Sequence, residues 1–280
     1  MWSCFSGRTF DGIFIKQKID DSMIIKRELF FESAKANRTL HIWLPDNYYE
    51  TQERFPVMYF FDGHNLFLDE DATYGKSWGL KAFLESWEKP MIVVGIECSH
   101  EGSGRLTEYC PYKTNGGFLG YIDGKGDATV HWMVNTLKPM IDRDYRTYSF
   151  REATGIGGSS MGGLMSLFTG IKYNQYFSKA ACVSSAIGFC RNQLLRDIAE
   201  TSLDGDTRFY LSWGEKEAGS ANGGDPAYDT YSARCNREMA GRLEEKGVLT
   251  RVFFQKDGGH NEASWEKQLP EFMNYLWLDR

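Results

Sequence analysis

From Phe55 onward, short apolar runs alternate with longer stretches whose apolar residues recur at helical spacing, and this alternation narrows the available folds more than any other feature. The runs "FPVMYFFDG" (55–63), "PMIVVGIE" (90–97), "EATGIGG" (152–158), "FSKAACVSSA" (177–186), "TRFYLSWG" (207–214) and "LTRVFFQKDGG" (249–259) read as strands. Between them, "SWGLKAFLESWEK" (77–89), "ATVHWMVNTLKPMID" (128–142), "GGLMSLFTGIKY" (162–173), "RNQLLRDIAE" (191–200) and "SARCNREMAGRLEEKG" (232–247) read as helices. "NEASWEKQLPEFMNYLWL" (261–278) closes the sequence as one more. A strand that is nearly all apolar is covered on both faces, and strand–helix alternation builds a parallel sheet sandwiched by helices. Two earlier runs, "MIIKRELFFES" (23–33) and "RTLHIWLP" (38–45), have no helix between them and so predict antiparallel strands. Pro139 should kink or end its helix, Pro270 should interrupt the last one, and Gly247 should cap the helix it follows. The expected fold is therefore α/β: a mostly parallel central sheet with antiparallel N-terminal strands, helices on both faces and little or no lid. With no internal repeat and no Pro/Gly/Ser-rich linker, residues 1–280 are expected to form one domain. The stretch "SANGGDPAYD" (220–229) reads as a surface loop.

Composition removes several classes of function. A net charge of −6 offers no basic face to nucleic acid or anionic lipid. No stretch approaches the roughly 18 apolar residues that cross a bilayer, and the N-terminal segment shows no basic start followed by an apolar run. Cysteines 4, 98, 110, 182, 190 and 235 form no CxxC, so reduced, mostly buried thiols and a cytoplasmic location are expected. Aromatic residues make up 15% of the chain, which points to a dense core or an aromatic-lined pocket.

One strand-to-helix junction carries chemistry. In "TGIGGSSMGGLMSLFTG" (154–170) two adjacent serines stand among six glycines. A reactive serine needs a sharp turn that lifts its hydroxyl out of the regular backbone, with small residues two positions to either side. Centring on Ser159 puts Gly157 and Met161 at those positions, and methionine fails; centring on Ser160 puts Gly158 and Gly162 there, and both fit. The rival dinucleotide loop, G-x-G-x-x-G from Gly155, fails at its third glycine, which is Ser160, and it lies mid-chain.

A serine hydroxyl at neutral pH needs a general base. Of the five histidines, His41 and His131 sit inside strand and helix patterns and read as structural, whereas His260 follows the last strand on a glycine turn. An acid between the two completes the chain order serine, acid, histidine. Glu217, three residues past the end of the 207–214 strand, is the first choice, with Glu215 and Asp225 left open. For the oxyanion, the Met161 N–H follows the nucleophile and the His64 N–H lies on the loop of "FFDGHNLF"; the His64 imidazole could instead touch substrate. Trp213, at a strand end beside the acid, is a candidate wall for an acyl or aromatic group, with core packing as the alternative.

With these places marked, the chain resembles an esterase family of the α/β-hydrolase superfamily that includes feruloyl and acetyl-xylan esterases, enterochelin-type esterases, S-formylglutathione hydrolases and mycolyltransferases. The resemblance runs from about Arg38 to the end and rests on "FPVMYFFDGHNLF", "VVGIECSHEGSGRLTEYCPY", "GIGGSSMGGLMSLF" and "GGHNEASWEKQLPEFMNYL". It implies Ser160 as nucleophile, His260 as base, Glu217 as acid, and Met161 with the Gly63–His64 loop for the oxyanion. It places Arg105, Glu108 and Tyr109 near the site as architectural or substrate-adjacent residues, with Arg105 the candidate for substrate binding. The implied activity is carboxylic-ester hydrolysis through an acyl-enzyme, without metal or organic cofactor, on a small-molecule ester. The short segment between Ala186 and Thr207 implies an open site suited to short-acyl or phenolic esters of a sugar or other bulky alcohol. An acyltransferase or thioesterase with the same triad, or a non-catalytic carbohydrate- or siderophore-binding relative, are the alternatives. Homo-oligomerisation is left open.

Overall fold

The structure is a computed structural model, and it describes residues 24–217 and 224–279. The strand β1 (Ile24–Phe31) turns through Lys35, at φ 51°, into β2 (Ala36–Trp43), and the two pair antiparallel from Ile24↔Trp43 to Phe31↔Ala36. There follow β3 (Val57–Phe61), α1 (Leu80–Ser86), β4 (Ile92–Ile96) and α2 (Gly104–Glu108). A two-residue ladder, β5 (Thr114–Asn115) with β6 (Tyr121–Ile122), stands apart from the main sheet. The chain continues through α3 (Gly126–Trp132), α4 (Lys138–Asp144), β7 (Thr154–Ser159), α5 (Met161–Lys172), β8 (Lys179–Val183) and α6 (Arg191–Glu200). It ends with β9 (Arg208–Gly214), α7 (Tyr231–Glu245), β10 (Leu249–Gln255), α8 (Glu262–Glu266) and α9 (Leu269–Trp277).

Eight strands form one sheet in the order β1-β2-β4-β3-β7-β8-β9-β10, antiparallel at β1–β2–β4 and parallel from β4 to β10. The apolar run of β3 explains itself in this arrangement. Val57, Tyr59 and Phe61 enter a core shared with α3, α5, α6 and α7, while Met58 and Phe60 enter a second core against α1 and α9. Both faces are buried, so alternation is lost and hydrophobicity is continuous. Because β7 is central and parallel to its neighbours, its C-terminal end opens on the same sheet edge as those of β3, β8, β9 and β10. That edge is where open α/β sheets place ligands.

Both prolines fall where a helix is broken, as expected, and each stands in the first turn of the helix that follows. Ahead of Pro139 the helix relaxes into a π-helical stretch, Met133–Leu137, and α4 restarts at Lys138 with Pro139 in its first turn. A proline there lacks only an N–H that a first turn leaves unpaired anyway. Pro270 likewise stands in the first turn of α9, and the closing segment is two helices, α8 and α9, parted just ahead of it. Gly247, at φ 82°, takes the left-handed cap position expected of it. The region between β8 and β9 holds only a short 3-10 turn and α6, which packs against α5 and α7 and forms no cap over the sheet edge.

Candidate active site

At the end of β7 the backbone of Ser160 takes φ 57°, ψ −118°, a conformation foreign to ordinary strands and helices. Such a residue stores on the order of 1–3 kcal/mol of strain and persists only where its surroundings hold it. Here the Ser160 N–H donates to the Val183 carbonyl at 3.0 Å, and the Ser160 carbonyl accepts from Leu164 and Ala186 at 3.0 and 2.9 Å. The flanking glycines are a packing requirement. A Cβ on Gly158 would lie 2.8 Å from the Gly162 carbonyl, and one on Gly162 would lie 3.0 Å from Phe61 Cβ and 3.3 Å from Asp62 Oδ2. Ser159 remains a buried strand residue, and Met161 opens α5, where the first-turn N–H groups have no acceptor within the helix.

The candidate acid and base lie on the loops after β9 and β10. His260 follows a turn with Asp257 at φ 59°, pinned by Lys216 N–H donating to the Gly258 carbonyl at 2.8 Å and Gly259 N–H to Ser264 Oγ at 2.9 Å. His260 Nδ1 stands 3.5 Å from Glu217 Oε2, with the imidazole 44% exposed and the carboxylate 7% exposed. This is ion-pair distance, longer than a tight hydrogen bond, as catalytic pairs commonly are before substrate closes them. Glu217 Oε1 accepts from Ser184 Oγ at 2.5 Å, and Ser184 Oγ accepts from the Trp265 indole N–H at 3.0 Å. The Trp265 ring meets the His260 ring edge-on at 5.1 Å. Ser184 directly follows Val183, the acceptor of the Ser160 N–H, so a short run of contacts joins the elbow to the acid–base pair.

The other two acid candidates are engaged elsewhere. Glu215 Oε2 accepts from the Asp257 N–H at 2.8 Å, and Asp225 Oδ1 from the Ala227 N–H at 2.9 Å. Of the three carboxylates, the structure brings Glu217 to His260.

The His64 loop is held from beneath. Asp62, at φ 58°, leads into a 3-10 turn over Gly63–Asn65, and the N–H groups at the head of such a turn lack acceptors within it. Arg105 donates through Nε and Nη2 to Asp62 Oδ1 and Oδ2 at 2.8 and 2.7 Å. The Tyr109 hydroxyl accepts from the Asp62 N–H at 3.1 Å and donates to the Ile96 carbonyl at 3.3 Å. Gly63 presses on β4 so closely that a Cβ would lie 2.4 Å from the Gly95 carbonyl carbon. Glu108 pairs with Arg38 and accepts from the Ser99 N–H at 3.1 Å, anchoring the same segment. Of the architectural and substrate-adjacent roles the sequence left open for Arg105, its bidentate pair supports the first: the guanidinium positions the loop. Which residue it would hold was not legible from five-residue α2, which is too short to show a period.

Burial would raise the Asp62 carboxyl, but the Arg105 charge and hydrogen bonds outweigh it and hold Asp62 below the ordinary carboxylate value. A carboxyl depressed in the folded state stabilises the fold above its unfolded pKa, and that stabilisation disappears as pH falls through the folded value. Arg105→Leu strands the Asp62 charge and should cost about 2 kcal/mol, below the full cost of a stranded buried charge because water reaches the guanidinium. The melting-temperature gap between wild type and Arg105→Leu should narrow as pH falls, because Asp62 takes up its proton first in the variant and only below its depressed folded value in the wild type. A gap independent of pH contradicts this account.

Trp213 requires a correction. It is 1% exposed, its indole N–H donates to the Pro226 carbonyl at 3.2 Å, and its ring packs on Phe254 and under Arg237. It fills the core and does not wall a substrate pocket. His41 is buried and bonded to Glu97 at 2.6 Å, while His131 is exposed on α3. The five described cysteines are free and buried, with Cys110 and Cys190 sulfurs 3.5 Å apart; Cys4, the N-terminal segment and part of the 220–229 stretch lie outside the described residues.

Comparison with known proteins agrees with this architecture. YbbA of Bacillus subtilis (strain 168), itself uncharacterised, is 25% identical over 254 residues, 88% of this chain and 94% of the relative. Esterase Rv1288 of Mycobacterium tuberculosis (strain H37Rv) is 26% identical over 158 residues, 56% of this chain but only 31% of that larger protein. Among solved structures, an IroE-like serine hydrolase from Shewanella oneidensis superposes with a TM-score of 0.72 at 18% identity, covering 91% of this chain and 80% of the other. The enterobactin esterase FES of Shigella flexneri superposes at 0.67 and 18% identity, over 94% of this chain and 61% of the other. At such identities these likenesses establish the fold. The profile of the family described as "Putative esterase" matches residues 32–276, and the chain belongs to that family as a carboxylic-ester hydrolase of the α/β-hydrolase fold.

Proposed function

We propose that the protein hydrolyses short-acyl or phenolic esters of a sugar or other bulky alcohol, through an acyl-enzyme formed on Ser160. His260 takes the Ser160 proton as the hydroxyl attacks the ester carbonyl. Glu217 holds the imidazole in the required tautomer and stabilises the imidazolium without itself taking the proton. The Met161 and His64 N–H groups receive the oxyanion. His260 then protonates the departing alcohol and activates the water that releases the acid. The observation that carries this reading is the Glu217–His260 pair, one buried and one half-exposed, at the sheet edge where Ser160 is held in its turn. The strained elbow, the buttressed Asp62–His64 loop and the short segment between β8 and β9 support it. Relatives of this fold described as enterobactin esterase and ferulic acid esterase favour an ester with an aromatic acyl or bulky alcohol part.

A panel of acetyl, short-acyl, feruloyl and long-chain esters tests the specificity, with fluorophosphonate-treated protein as the blank. Short-acyl and phenolic esters should turn over best. A clear preference for long-chain lipid esters would overturn the open-site assignment.

A further inference from the structure

Three of the chain's five histidines gather on one side of the oxyanion loop, and this gathering is unrelated to the acid–base pair. The His64 and His100 rings meet edge-on at 4.7 Å, and His100 Nε2 lies 3.1 Å from Glu97 Oε2. Ligand atoms of His64, Glu97 and His100 all fall within 4.8 Å of one another. His64 is 6% exposed, and its Nδ1 is buried without a hydrogen-bond partner. A buried ring nitrogen in that state carries a desolvation cost of about 1–3 kcal/mol unless something coordinates it.

We propose that His64, Glu97 and His100 form a binding site for a divalent transition metal, zinc above all. Two imidazoles and one carboxylate with an open fourth position are a zinc donor set. The outer partners that metal ligands require are in place. His64 Nε2 is bonded to Thr73 Oγ1 at 3.0 Å, and Glu97 Oε1 is bonded to His41 Nε2 at 2.6 Å. His41 Nδ1 in turn faces Asp71 Oδ2 at 3.8 Å. Ligand atoms on a tetrahedral zinc stand roughly 3.3 Å apart, so the cluster must contract. His100, whose side chain is 55% exposed, is free to make that movement. Glu97 and His100 also line an open cleft of about 650 Å³ that gives an ion access from solvent; Ser160 and His260 are not among its lining residues.

The test is zinc titration of the chelator-stripped full chain by calorimetry, followed by cobalt substitution read from its visible d–d bands. Binding rather than hydrolysis is measured, and on the Ser160→Ala protein as well, because His64 also belongs to the proposed oxyanion loop. The outcome then stands or falls apart from the esterase mechanism. One equivalent of zinc should bind. His100→Ala and Glu97→Gln should each weaken binding by on the order of 10- to 100-fold and abolish the cobalt bands, while His131→Ala should leave both unchanged. Glu97→Gln preserves shape, and His100 is exposed, so both variants should fold. Absence of saturable zinc binding in the wild type, or binding that survives both substitutions, overturns the site.

Discussion

Ser160→Ala is expected to lower kcat on any ester the protein turns over by up to about 10⁶-fold, with KM changed far less. The loss is so large because the alanine enzyme has no acyl intermediate and retains only what the oxyanion donors and substrate binding supply. His260→Ala should cost about as much, and the double variant should be no slower than the worse single one, because the two act as a unit. Steady-state rates with the best ester of the panel, alongside fluorophosphonate labelling, measure this. Labelling that persists in Ser160→Ala, or a rate within tenfold of wild type, removes Ser160 as the nucleophile. The backbone contacts from Val183, Leu164 and Ala186 involve only main-chain atoms of residue 160, so the substitution leaves the turn standing.

Glu217→Gln should lower kcat by about 10³–10⁴-fold, whereas Glu215→Gln should change it by no more than a few-fold. The difference follows from where the two carboxylates point. With the Ser184 hydroxyl donating to Oε1, a glutamine at 217 keeps its carbonyl there and turns its amide N–H groups towards His260 Nδ1. A donor facing Nδ1 selects the tautomer with its proton on Nε2, which cannot take the serine proton. Glu215 serves the Asp257 N–H instead, so its replacement disturbs only a turn. If Glu215→Gln proves the more damaging, the acid has been assigned to the wrong residue.

The sequence revealed what repeats or what needs small residues. The double-faced apolar run of β3, the antiparallel start and the Gly158–Ser160–Gly162 turn were all legible, because each follows from local sterics or a periodic burial pattern. Residue-to-residue distances across the fold were not. Glu215 and Glu217 are two positions apart and chemically identical, and only the path of the loop after β9 brings one rather than the other to His260. Arg105 and Asp62 are 43 residues apart, and α2 is too short to show a helical period. Trp213 ends a strand in the sequence, yet the Pro226 carbonyl and the Arg237 side chain cover it. The prolines marked the helix breaks correctly, and what the sequence left open was that Pro139 and Pro270 would each open the next helix.

The unequal wetting of the acid–base pair has one more consequence. An imidazole with 44% of its side chain exposed is open to more than one incoming nucleophile, an alcohol as well as water. On the proposed mechanism, release of the acyl group therefore goes to water in dilute solution and becomes open to a concentrated alcohol, with no change in any residue of the protein.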